Sequence, residues 1–122
     1  MIIICKNGKF ICYQKSVQSP DVDIEFFEQA YEEAYGGKPV SLREDFCGTF
    51  SVCCEWVKSN EDRTALGIDL CPETLKWGRN NNLSRLEPEQ QMRDATFEKD
   101  VRSISNSKTD VLAAQNFSFW LF

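Results

Sequence analysis

Three places in the chain carry side chains able to do chemistry. The first is Glu44-Asp45 followed by Gly48: two carboxylates closing an apolar run, then a residue with no side chain. In open α/β sheets ligands lie outside the carboxyl ends of the strands, and a small residue there lets the backbone approach a ligand where a helix begins. By residue type alone the same pattern is ordinary turn chemistry. The second is Asp69, roughly 25 residues further on, closing the next apolar run. Its two oxygens can accept both hydroxyls of a ribose, or one can cap the helix opened by Pro72. Acids at the tips of two successive strands about twenty residues apart form a nucleotide-type pattern. The third is Asn116, followed by Phe117-Ser118-Phe119-Trp120. An amide with aromatic neighbours suits a planar or methyl-bearing ligand, and it equally fits a buried C-terminal cluster.

The elements that must position these groups follow from patterning. Ile2 to Cys5 and Phe10 to Tyr13 read as a hairpin across a type I′ turn at Asn7-Gly8, which needs something to pack on. Ser19 caps and Pro20 opens a helix whose Ile24, Phe27, Tyr31 and Ala34 form one apolar stripe. Gly36-Gly37 and Pro39 stop it. A strand then spans Val40 to Asp45, and a helix with Val52, Trp56 and Val57 on its buried side runs to Ser59-Asn60. Thr64 to Ile68 is a second strand. Pro72 opens a third helix carrying Leu75, Gly78, Asn82 and Leu86 on one face, and Pro88 ends it. A short strand falls within Met92 to Val101, and Val111-Leu112-Ala113-Ala114 is a clear apolar strand. Strands alternating with helices of this length predict βαβ units, a parallel sheet and right-handed crossovers.

Composition narrows the function classes. With 122 residues, 42% hydrophobic and 27% charged, the chain fits one globular domain rather than a disordered segment. Nine Phe, three Trp and three Tyr supply a core. A net charge of -5 with no Lys/Arg run gives no evident nucleic-acid patch. There is no His, so catalysis must use carboxylates, Lys, Tyr, Cys or positioning. The N-terminal apolar run ends at Lys6, too early for a signal peptide or a membrane span, which predicts a cytoplasmic protein with free thiols. Cys5, Cys12, Cys47, Cys53, Cys54 and Cys71 lack the pair spacing of a zinc site and read as small packing residues, with no metal.

Taken together, these blocks resemble a known family. Leu42-Arg43-Glu44-Asp45-Phe46-Cys47-Gly48-Thr49 is similar to the first motif of a bacterial-type family of class I S-adenosylmethionine-dependent methyltransferases. The resemblance extends upstream through Ser16 to Pro20 and Asp23 to Phe27. Downstream it runs through Gly67 to Glu73, Trp77 to Leu83 and Asp110 to Ser118, in the family's order and over nearly everything from Tyr13 onward. It implies S-adenosyl-L-methionine as cofactor. It places Glu44 at the acid ending strand one, with Asp45 beside it, and Gly48 at the central loop glycine facing the methionine part. Asp69 falls at the acid holding the ribose, Asp100 at the acid facing the adenine amino group, and Asn116 beside the reactive methyl.

Two departures stand out. The class pattern has glycine where Phe46 and Phe50 stand. Phe46 is usual in this family and Phe50 is not, so its ring is expected to crowd the cofactor or the helix–strand contact. The fold also has seven strands, and this chain stops after the fourth, which would leave Val111–Ala114 as an open apolar edge inviting self-association. The expectation is therefore a partial Rossmann-like parallel sheet of about four strands with flanking helices, preceded by a hairpin and helix. Residues 1–39 form that N-terminal part, and residues 40–122 a truncated cofactor-binding core. The function implied is a methyltransferase carrying mainly its cofactor half, with an acceptor the sequence does not name. The alternative is a non-catalytic remnant acting as a nucleoside-binding or protein-interaction module. A nicotinamide-dependent oxidoreductase would share Asp69 but lacks the later glycines of G-x-G-x-x-G.

Overall fold

The computed structural model describes residues 1–5, 20–104 and 109–114. The Asn7-Gly8 turn, the return strand Phe10 to Tyr13, the Ser19 cap, Cys12, Asn116 and the aromatic residues after it lie outside these.

The described strands are β1 (Ile2–Cys5), β2 (Ser41–Asp45), β3 (Thr64–Asp69), β4 (Asp94–Glu98) and β5 (Val111–Ala114). They form one sheet in the order β1-β5-β2-β3-β4, and every pair is parallel. The helices are α1 (Pro20–Tyr35), α2 (Ser51–Ser59), α3 (Pro72–Asn81) and a short α4 (Pro88–Met92). Steps from β2 to β3 and from β3 to β4 run in one direction across the sheet. Right-handed crossovers therefore put α2 and α3 on the same face.

Apolar burial on that face holds the layers together. Leu42, Ala65, Val111 and Ala113 from the sheet meet Ile24 and Phe27 of α1 and Val52, Trp56 and Val57 of α2 in a single cluster. Full burial of a large apolar side chain contributes about 1.5–3 kcal/mol. Phe27 and Trp56, with ring centroids 6.2 Å apart in a tilted pair, tie α1 to α2. Arg63, at the foot of β3, completes this junction. Its guanidinium lies 4.1 Å from the Trp56 ring centroid, and one nitrogen is 2.6 Å from Glu28 Oε2. Its other nitrogens donate to Pro39 O and Ser59 Oγ.

The third helix is shorter than its apolar pattern predicts. It ends at Asn81, a 3₁₀ turn spans Leu83–Arg85, and Pro88 opens α4 instead of ending α3. Leu86 nevertheless reaches the core. The chain reverses there because Glu87 and Gln90 form a reciprocal capping box ahead of α4.

The expectation of an open β5 edge is overturned. β1 pairs with β5 along its whole length, from Ile2 against Val111 to Cys5 against Ala114. The β-branched run Ile2-Ile3-Ile4 has the residue preference of a strand. Its start is anchored by Ile2 N–H donating to Asp110 O, and by Tyr35, whose hydroxyl accepts from the Met1 ammonium and donates to Met1 O. A hairpin reading of the N-terminus looks only at near neighbours and cannot see this distant partner.

Candidate functional site

The carboxyl ends of β2, β3 and β4 bring the predicted acids to one edge of the sheet. Register sets them side by side: Glu44 against Gly67, Asp45 against Ile68, and Asp69 against Glu98. Lys99 N–H continues the ladder to Asp69 O at 3.0 Å, so Asp100 is the next residue after the last bond that ties β4 to the end of β3.

The loop leaving β2 has an unusual backbone. Phe46, Gly48 and Phe50 all have positive φ, at 57°, 59° and 45°. Gly48 adopts this without strain, whereas a residue with a Cβ pays about 1–2 kcal/mol. Left-handed backbone thus occurs at the two positions where the class pattern has glycine and this chain has Phe. Phe50 is 0% exposed, so its ring does not line the open strand-end surface. The ring instead takes up room on α3 that Gly78 leaves: a Cβ there would stand 2.6 Å from Phe50 Cε1 and 2.6 Å from Thr49 O. Asn82, the C-cap residue just past α3, donates to the same Thr49 carbonyl at 2.8 Å. The crowding expected of Phe50 therefore falls on the contact with α3, and the glycine at position 78 accommodates it.

Asp69 joins this loop to the next helix. Its Oδ2 accepts from Gly48 N–H at 2.8 Å and its Oδ1 from Cys71 N–H at 3.0 Å. The N-cap of α3 is Cys71 rather than Asp69. Each carboxylate oxygen keeps a second lone pair, so the geometry still fits a ribose diol. The Cys71 thiol accepts from Thr74 Oγ1 at 3.0 Å, and that hydrogen bond holds its pKa below the ordinary thiol value.

Glu44 lies beneath the loop, 1% exposed, with Cys53 Sγ of α2 donating to its Oε1 at 3.3 Å. Burial pushes its pKa up to about 8; the Cys53 hydrogen bond opposes this, and the Asp23 and Asp94 carboxyls add to it. Asp94, at the start of β4, is buried too and faces the Cys54 thiol. Burial raises it to about 7. The Cys47, Cys53 and Cys54 thiols are buried, free and raised, mainly by desolvation. This is the inert, packed cysteine environment.

Asp45 and Arg43 project to the opposite face of β2 from Glu44, as strand alternation requires. Arg43 Nε donates to Asp45 Oδ1 at 2.6 Å. Asp100 caps a 3₁₀ turn, Val101–Ser103, and its carboxylate accepts from the Arg102 backbone and side chain. That pairing draws its pKa down to about 2. The structure thus brings Glu44, Asp45, Gly48, Asp69 and Asp100 to one edge, while Asn116 lies outside the described residues. Arg43, Gly78 and Asn82 are the contributors that patterning missed. Gly78 and Asn82 were assigned to a helix face, and only the fold aims that face at the loop. A shallow hollow of about 230 Å³ on α1, lined by Glu25, Glu28, Glu32 and Lys38, lies by the amino end of β2, away from this edge. Among the described residues no cluster of His, Cys, Asp and Glu is arranged to hold a metal, and no helix is long and apolar enough to cross a membrane.

No family model matches the chain, and no curated protein matches it by sequence. Solved structures do match. The plantazolicin methyltransferase BpumL, in complex with a triazolic desmethylPZN analog and SAH, is similar over 89% of this chain at 18% identity, with a TM-score of 0.63. The methyltransferase domain of bacterial CtHen1-CN matches over 76% of this chain at 15% identity and a TM-score of 0.56. YjhP from E. coli matches over 74% at 16% identity and a TM-score of 0.54. The chain spans 40%, 46% and 36% of their respective lengths. The likeness is one of fold, and that fold is the class I methyltransferase fold.

Proposed function

We propose that this chain is the cofactor-binding portion of an S-adenosyl-L-methionine-dependent methyltransferase, acting in the cytoplasm, with residues 1–39 an N-terminal addition to the core formed by residues 40–122. The observation that carries the proposal is Asp69, whose two oxygens bridge the Gly48 loop and the start of α3 at the carboxyl edge of the sheet. The similarity of fold to a methyltransferase crystallised with SAH supports it.

In this reading the cofactor supplies the methyl group on a sulfonium centre, and the protein binds and orients it. Asp69 accepts the ribose hydroxyls. Gly48 lets the main chain approach the methionine part. Asp100 accepts the adenine amino group, exchanging its exposed Arg102 partner, an ion pair of the weakly held kind. Glu44 is too enclosed to reach far and acts from beneath the loop, while Asp45 orients Arg43. The family resemblance would assign Asn116 to the position beside the reactive methyl. Methyl transfer depends on in-line placement of the acceptor, so the absence of His is no obstacle.

Calorimetric titration with S-adenosylmethionine and S-adenosylhomocysteine tests this. Single-site binding is expected, weakened about tenfold or more by Asp69→Asn, in line with the loss of charge-assisted hydrogen bonds. Folded, monodisperse protein that binds neither compound would sink the reading.

A further inference from the structure

Arg43 is a cation placed where an apolar residue would serve the sheet equally well. It sits on β2, an inner strand, in register with Leu66 on one side and Leu112 on the other. Its residue exposure is 3%. A buried charge must be paired, and replacing such a pair with apolar side chains is often neutral for stability. Stability alone therefore does not explain an arginine here.

The three donor directions of the guanidinium do. Nε donates to Asp45 Oδ1 at 2.6 Å, Nη1 to Ile104 O at 2.8 Å and Nη2 to Val101 O at 2.8 Å. Asp45 thus fixes the plane of the fork, and the two outer nitrogens grip two main-chain carbonyls of one short turn. That turn leaves β4 directly after Lys99, whose N–H is bonded to Asp69 O. It carries Asp100 at its cap. A 3₁₀ turn of this length has few main-chain bonds of its own, Ser103 N–H to Asp100 O at 2.9 Å and Ile104 N–H to Val101 O at 3.5 Å; its side-chain bonds, from Arg102 and Ser103 to Asp100, close the turn on itself and do not tie it to the sheet. An apolar residue at position 43 could fill the space but could not hold two carbonyls. Lysine, with a single compact ammonium, could keep Asp45 company but could not span both.

We propose that Arg43 is a positioning residue that clamps the 100–104 turn onto β2 and thereby sets the place of Asp100 at the adenine side of the site. The second half of this statement rests on the methyltransferase reading; the clamp itself does not.

Two measurements on the full chain test it, using Arg43→Lys and the paired variant Arg43→Met/Asp45→Asn, which removes the clamp without leaving a buried charge alone. In the first, amide hydrogen exchange is followed by mass spectrometry in a peptide spanning residues 99–104 and in a reference peptide spanning residues 64–69 of β3. Exchange is expected to accelerate about tenfold in the first peptide and to stay unchanged in the second, a selective loss equivalent to about 1.4 kcal/mol. In the second, binding of S-adenosylhomocysteine is compared with that of S-inosylhomocysteine, which lacks the adenine amino group. The wild-type chain prefers the adenosyl compound, and both variants bring the ratio of the two dissociation constants toward one. A general loss of stability would not change that ratio. Wild-type exchange rates at 99–104 in both variants, or equal acceleration in both peptides, would overturn the clamp. A clamp seen by exchange with an unchanged ligand ratio would overturn its role toward Asp100. If the wild-type chain binds neither compound, the methyltransferase reading falls, and exchange alone decides whether the clamp exists.

Discussion

Glu44 and Asp94 are carboxyls raised into the physiological range by burial, to about 8 and about 7, from ordinary values of 4.5 and 3.8. Below about pH 3 both are protonated in the folded and the unfolded chain. As pH rises, the unfolded chain releases these protons first, so the native state binds more protons and stability falls with pH. The loss begins near pH 4, and the Glu44 part levels off above about pH 8. Thermal melts from pH 5 to 9 should show a falling midpoint, and Glu44→Gln should flatten the upper part of that slope. A midpoint that climbs from pH 5 to 8 would contradict the assigned burial of these groups. The sequence showed Glu44 as a strand-end acid. Its enclosure by Cys53 and its nearness to Asp94 depend on α2 lying over the sheet, which residue types do not reveal.

At the scale of elements, the loop from Phe46 to Phe50 is the segment most at odds with its residue types. Two phenylalanines hold left-handed backbone that glycine would hold without strain. They differ in burial: Phe46 is half-buried and Phe50 fully buried. Phe46→Gly should therefore change stability by no more than about 1 kcal/mol, because released strain is offset by the greater freedom of glycine in the unfolded chain. Phe50→Gly should cost about 2–4 kcal/mol, the loss of a buried ring exceeding the strain released. Urea denaturation of both variants checks this, and similar costs at the two positions would refute it. The turn itself was legible from Gly48 and the helix behind it. The answering gap at Gly78 was not, because it lies a strand and a helix away in sequence.

At the scale of the molecule, β1 is what closes the β5 edge. Removing residues 1–5 exposes four apolar strand residues with unpaired main-chain groups, the usual template for intermolecular pairing. The shortened chain is expected to elute as a larger species than the full chain in size-exclusion chromatography. Identical elution with unchanged thermal stability would show that β1 contributes nothing to the edge.

The division between sequence and structure follows the range of the interactions. Helix starts at Pro20 and Pro72, the strand at Val111–Ala114, the Gly48 turn and the βαβ order are set by short-range preferences and patterning, so they were readable from the residues. The acids Glu44 and Asp69 fall at strand ends for the same reason, since position along a strand is a local property, whereas Asp100, two residues beyond the end of β4, was singled out only through the family resemblance. Tertiary structure alone decided three matters: β1 as the neighbour of β5, Gly78 as the space for Phe50, and Arg43 as the link from β2 to the turn after β4. Each joins residues some thirty or more positions apart. Such contacts depend on which faces the crossovers bring together, and no local pattern encodes that.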